Sequence, residues 1–106
     1  MDYEITPKEL RQHQEHNNKL LILDVREPWE RQTASIADSR HIPMAEVPAR
    51  LQELDPELHI VVYCHHGVRS LSVTARLRKE GYQKVQSMSG GIERWSLEID
   101  PGVPRY

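Results

Sequence analysis

The 106-residue chain has a single cysteine, Cys64, so it can form no internal disulfide and build no cysteine-rich zinc cage. It has no apolar run approaching the roughly 18–20 residues that cross a bilayer. Its first residues, Met1-Asp2-Tyr3-Glu4, lack both the basic start and the apolar stretch of a secretory signal. These absences predict a soluble, cytoplasmic protein with no membrane partner. Basic charge is not in excess either: 14 Lys and Arg stand against 16 Asp and Glu, a net charge of -2. That argues against a general nucleic-acid binder, which carries a basic surplus. It leaves room for a small anion site, because a local pocket can be positive on a nearly neutral protein. No repeat, low-complexity block or linker-like run interrupts the chain, so residues 1–106 read as one domain.

The composition is polar but globular, with 38% apolar and 28% charged residues. A chain of this length buries roughly 60–70% of its unfolded surface, enough for one core. Thr6-Pro7-Lys8-Glu9 opens a helix: Thr6 caps, Pro7 suits the first position, Glu9 completes a capping box, and Ile5 and Leu10 form a staple. That helix is polar, belongs on the surface and ends near Asn17-Asn18. Leu20-Leu21-Ile22-Leu23 has the continuous apolar character of a strand in a parallel sheet, stopped by Asp24-Val25-Arg26-Glu27-Pro28. A short helix fits Trp29 to Thr33, and a short strand fits Ser39 to Ile42. Val47, Leu51 and Leu54 make one helical stripe that ends at Asp55-Pro56. His59-Ile60-Val61-Val62-Tyr63 is a β-branched buried strand. A helix follows from Val68 to Glu80, stopped by Gly81; then come a strand over 84–88, a short helix carrying Trp95, and an irregular tail. Strands alternating with helices predict an α/β fold, a mostly parallel sheet with helices on both faces. Ligands of such sheets bind beyond the carboxyl ends of the strands, where Asp24 and Cys64 both fall.

A lone cysteine is either a small buried hydrophobe or a reactive thiol, and its surroundings decide. Cys64-His65-His66-Gly67-Val68-Arg69-Ser70 joins a buried strand to a helix. A short glycine-containing loop at that junction turns backbone N–H groups inward, and the helix N-terminus adds partial positive charge. A sulfur at its centre is favoured as thiolate, with Arg69 and the histidines adding to the field. The alternative is a plain turn after a buried strand-end cysteine; strand, cysteine, glycine, arginine and helix together favour the reactive thiol. No metal is expected, since consecutive Cys64, His65 and His66 rarely converge on one ion and no His-x₃-His partner is present.

Four segments in order resemble a single-domain rhodanese, a sulfurtransferase. They are Leu23-Asp24-Val25-Arg26-Glu27; His41-Ile42-Pro43; Tyr63-Cys64-His65-His66-Gly67-Val68-Arg69-Ser70; and Gly90-Gly91-Ile92-Glu93-Arg94-Trp95. The resemblance covers nearly the whole chain and implies a five-stranded parallel sheet with the cysteine loop as active site. It makes Cys64 the persulfide-forming residue and puts His65, His66, Gly67, Val68, Arg69 and Ser70 around the transferred sulfur. Asp24 and Arg26 match the family's Asp-x-Arg motif and are expected to support the loop, Asp24 through Arg69. Gly90, Gly91 and Trp95 are expected to serve the fold. The family's glycine before His-Ile-Pro is missing from Ala37-Asp38-Ser39-Arg40-His41, which puts the local loop shape and the pocket rim in question. His65 and His66 either charge near neutral pH or present only their backbone N–H; the second is favoured, because the family's loop varies there.

The function this implies is ping-pong sulfur transfer without a cofactor. The donor is thiosulfate or a small persulfide, and the acceptor is cyanide, a thiol or a protein. Two alternatives stand beside it. A cysteine phosphatase or arsenate reductase resembles Cys-x₅-Arg, whereas Cys64 and Arg69 here have four residues between them. A non-catalytic rhodanese-like module would bind a partner, and such members often lose the cysteine.

Overall fold

The capping box at Thr6 closes as expected. The Glu9 N–H donates to Thr6 Oγ1 at 3.1 Å, and the Thr6 N–H to Glu9 Oε1 at 2.9 Å, at the start of helix α1 (Pro7–His16). Leu10 and Ile5 are buried in one cluster, as a staple requires. The computed structural model describes residues 1–16 and 19–106, and the expected helix end at Asn17-Asn18 lies outside the described residues.

Five strands form the sheet: β1 (Glu4–Ile5), β2 (Leu20–Asp24), β3 (Arg40–His41), β4 (His59–Tyr63) and β5 (Val85–Met88). Their order is β1-β5-β4-β2-β3, all neighbours parallel, which gives the α/β architecture expected. The residues alone yielded four strands. The fifth, β1, has two residues, too few for any periodicity, and exists because the sheet edge pairs it: Ser87 N–H donates to Tyr3 O at 2.7 Å and Ser89 N–H to Ile5 O at 2.9 Å.

Strand β4 is central and wholly buried. Its side chains alternate between two cores. Ile60 and Val62 join the cluster on one face with Val73 and Leu77 of α3 (Val68–Lys79). Val61 and Tyr63 join the other, with Leu10 of α1 and with Ile92 and Trp95 of α4 (Gly91–Glu98). Cys64 continues the alternation onto the α3 side. The strand period therefore sets the cysteine beneath the start of the helix that follows it.

Helix α2 (Pro28–Thr33) forms over the expected segment, with Pro28 in its first turn and a Glu27/Glu30 capping box. Of the expected stripe Val47 and Leu54 are buried and Leu51 is half-buried, but the helix is 3-10 rather than α. It runs over Met44–Glu53, holds Pro48 inside and is broken at Arg50 (φ -122°, ψ 23°). Pro48 has no N–H to give, which removes an α-helical bond from the first turns. Among the described residues no helix is long and apolar enough to cross a membrane.

Candidate active site

Cys64 ends β4 and is 1% exposed. The chain reverses at Gly67, whose φ of 111° lies in the region that glycine adopts without strain. That reversal aims the Gly67 N–H at Cys64 Sγ, 3.1 Å away, and the Ser70 N–H reaches the same sulfur at 3.4 Å. The thiol donates to Ser70 Oγ at 3.4 Å, and that hydroxyl is held by Ser87 Oγ at 2.7 Å and by the Gly67 carbonyl at 3.2 Å. Helix α3 begins at Val68, so its positive end faces the sulfur. Two N–H donors and a helix N-terminus thus form a cradle around Sγ.

The cradle needs its carbonyls turned outward, and α4 holds them there. The Ile92 N–H donates to Cys64 O at 2.9 Å and the Glu93 N–H to His65 O at 3.2 Å. A Cβ at Gly91 would run into the His65 carbonyl, and one at Gly67 would sit 3.3 Å from the Gly90 nitrogen. The Gly90-Gly91 pair thus does more than start a helix. It lets the N-terminus of α4 dock under the cysteine loop.

Of the residues expected around the sulfur, Gly67 and Ser70 bond to it. Val68 points outward, 80% exposed. His65 lies between two rings, 3.9 Å from the exposed His66 and 3.9 Å from Tyr106. Burial, and next the charge of His66, push the His65 imidazole below its ordinary pKa.

Arg69 does not meet Asp24, contrary to expectation. Its guanidinium makes a two-pronged bond to Glu30, at 2.7 and 2.9 Å. Asp24 is unavailable because Arg26 folds back from the same strand end: Nε donates to Oδ1 and Nη2 to Oδ2, both at 2.8 Å. Arg31 at 3.2 Å and the Tyr63 hydroxyl at 3.1 Å complete its shell. Burial opposes ionisation of Asp24, but the Arg26 hydrogen bonds outweigh it and hold the carboxyl below its usual range. Arg26 also donates to Ala34 O at 2.6 Å and to the Tyr106 hydroxyl at 2.8 Å.

Glu30 and Tyr106 are the two site residues that sequence reasoning missed. Glu30 is 3% exposed, accepts from the Glu27 N–H at 3.0 Å and takes a bond from the Tyr106 hydroxyl at 2.7 Å. The Arg69 bonds, against burial, bring its carboxyl down to about 2. A signal for Glu30 was present in the Glu27-Pro28-Trp29-Glu30 capping pattern, which fixes that carboxylate at a helix start. No local pattern announces Tyr106. Where the family's glycine is missing, Asp38 takes a left-handed turn (φ 63°) and Arg40 pairs with Glu53 at 2.7 Å, on the 3-10 segment rather than on the cysteine loop.

A family model described as Rhodanese-like domain matches residues 6–98. A sulfurtransferase of Allochromatium vinosum is 33% identical over 93 residues, covering 88% of this chain and 87% of its own. Thiosulfate sulfurtransferase GlpE of Coxiella burnetii is 36% identical over 76 residues, covering 72% of this chain and 71% of its own. The chain spans only 30% and 26% of two longer curated relatives that it matches. Among solved structures, a rhodanese-related protein from Thermoplasma volcanium superposes with a TM-score of 0.85 at 30% identity, covering 99% of this chain and 100% of that one. With its sheet order, its cysteine loop and these matches in agreement, the chain belongs to the rhodanese-like domain family.

Proposed function

We propose that this protein is a sulfurtransferase that carries a sulfane sulfur as a persulfide on Cys64. The observation that carries the reading is the pair of N–H groups, from Gly67 and Ser70, converging on Cys64 Sγ. In the first half-reaction the Cys64 thiolate attacks the outer sulfur of the donor. A new S–S bond forms, the bond between the donor's outer sulfur and its remainder breaks, and the electron pair leaves with that remainder. The persulfide left on Cys64 is anionic, and the inward N–H groups stabilise it as an oxyanion hole stabilises oxygen. In the second half-reaction cyanide, a thiol or a protein nucleophile takes the outer sulfur and returns the thiolate. Dividing one transfer into two lowers each barrier. The relatives that are named sulfurtransferases support the same reading.

Mass spectrometry after incubation with thiosulfate or an organic persulfide tests it. The expected result is a gain of one sulfur on the wild-type chain, lost on addition of cyanide and absent in Cys64→Ala. Sulfur transfer undiminished in Cys64→Ala would overturn the assignment. A wild-type chain that takes up no sulfur from any donor would point instead to a partner-binding module.

A further inference from the structure

The arginine of the cysteine loop is already paired with a carboxylate. Arg69 is closed onto Glu30 by two bonds, and Glu30 cannot swing aside, because Tyr106 and the Glu27 N–H hold the same carboxylate. The other arginines set around the loop are paired as well. Arg105 bonds Glu93 at 2.8 Å, Arg94 bonds Glu98 at 2.6 Å, and Arg26 and Arg31 both bond Asp24. His65 is held towards its neutral form between two rings. An incoming donor therefore meets two N–H groups and a helix N-terminus, with the nearby arginines already matched by carboxylates. Beside these, Val68 is 80% exposed and Trp29 is 62% exposed, with Trp29 edge-on to Tyr106 at 5.9 Å. Val68, Leu71 and Ala75 line a cavity beside the loop together with Glu4, and the arginines behind it are matched by carboxylates.

We propose that Glu30 is a specificity-determining residue. By neutralising Arg69 it selects sulfane-sulfur donors that carry one negative charge and an apolar body, organic thiosulfonates and organic persulfides, over the dianion thiosulfate. The inference rests on the sulfur-transfer reading above and adds the class of donor to it. Placing a second negative charge in a site whose arginines are already matched by carboxylates forgoes a Coulomb attraction that one free guanidinium would supply. The chemistry is the same for either donor. Cys64 gains the outer sulfur, the bond from that sulfur to the sulfonyl sulfur breaks, and the electron pair leaves as sulfite from thiosulfate or as a sulfinate from a thiosulfonate.

The test compares thiosulfate with the methanethiosulfonate anion, in which a methyl group replaces one charged oxygen. Single-turnover persulfide formation on Cys64 is followed by mass spectrometry, and each rate is divided by that of a free thiol with the same donor. The normalised thiosulfate-to-methanethiosulfonate ratio is the readout, in wild type, Glu30→Gln, Arg69→Gln and the double variant. Freeing the guanidinium in Glu30→Gln should raise the ratio about tenfold, and the gain should shrink in high salt. Leaving the carboxylate alone in Arg69→Gln should lower it about tenfold, and the double variant should return within about twofold of wild type. A ratio unmoved in Glu30→Gln, or a double variant as low as Arg69→Gln, overturns the proposal, because Arg69 would then hold the donor directly. Should Glu30→Gln fail to fold, the wild type decides: a normalised preference for methanethiosulfonate supports the proposal, and one for thiosulfate overturns it. If both donors load Cys64, a failed ratio leaves the sulfur-transfer reading standing. If neither donor loads it, both readings fall.

Discussion

Two arginine–carboxylate pairs lie beside the carboxyl ends of β2 and β4, and they differ in almost everything but their chemistry. Asp24 and Arg26 are two residues apart, and both side chains are fully buried. Glu30 and Arg69 come from different elements; the glutamate is buried and the arginine is 33% exposed. The first pair is surrounded by further protein donors and acceptors: Arg31, the Tyr63 hydroxyl and the Ala34 carbonyl. It fastens the end of β2 to α2 and to β4. The second pair lies alongside the sulfur cradle and sets the charge that a ligand meets there. An ion pair sealed from water acts on the fold, because removing one partner strands the other. An ion pair open to water on one side contributes little to stability and can act on a ligand instead.

That contrast can be broken by experiment, and the sealed pair should give the largest effect. Arg26→Met leaves Asp24 buried with its main partner gone, so the expected loss is about 3–5 kcal/mol in urea unfolding. A loss under about 1 kcal/mol would show that this cluster does not hold β2 in place.

Acid comes next. Asp24 and Glu30 both have folded pKa values below their unfolded ones, Glu30 at about 2. Below the ordinary carboxylate range the unfolded chain binds more protons than the folded one. The stability they contribute is thus complete above roughly pH 5 and is lost as pH falls towards the folded values. The urea midpoint should therefore drop steadily between about pH 5 and pH 2. Glu30→Gln should flatten part of that slope and leave the part due to Asp24. An unchanged slope in Glu30→Gln would mean that the Arg69 bond is not maintained in solution.

The smallest effect belongs to Arg69→Gln. Its side chain is a third exposed, and Glu30 keeps its bonds from Tyr106 and Glu27, so the expected loss is about 1 kcal/mol or less. A loss as large as that of Arg26→Met would erase the distinction between the two pairs.

The cysteine loop was legible in the sequence because its parts are consecutive. A buried β-branched strand, a cysteine one step beyond it, a glycine three residues on and a helix start are all local features, and together they aim N–H groups at one atom. The Asp24-Val25-Arg26 motif was legible as a motif, but its partner was misassigned. Arg26 is close enough in sequence to fold back and occupy both oxygens of Asp24, which left Arg69 to Glu30. The 3-10 form of Met44–Glu53 was hidden because the i, i+4, i+7 spacing of Val47, Leu51 and Leu54 is that of an α-helix, and only the backbone around Pro48 and Arg50 departs from it.

The sequence by itself determined the order of the helices and of four of the five strands, the cap at Thr6, and the position of the one cysteine at a strand end. Each depends on spacing or on contacts within a few residues. The tertiary structure decided what surrounds that cysteine. The two-residue β1 exists only through its pairing with β5. Glu30 and Arg69 meet across 39 residues of chain, and Tyr106 reaches Glu30 across 76. No local pattern encodes such meetings, because they follow from which faces of the sheet the helices cover. The lone thiol was visible from the start; the charge around it became visible only once the chain was folded.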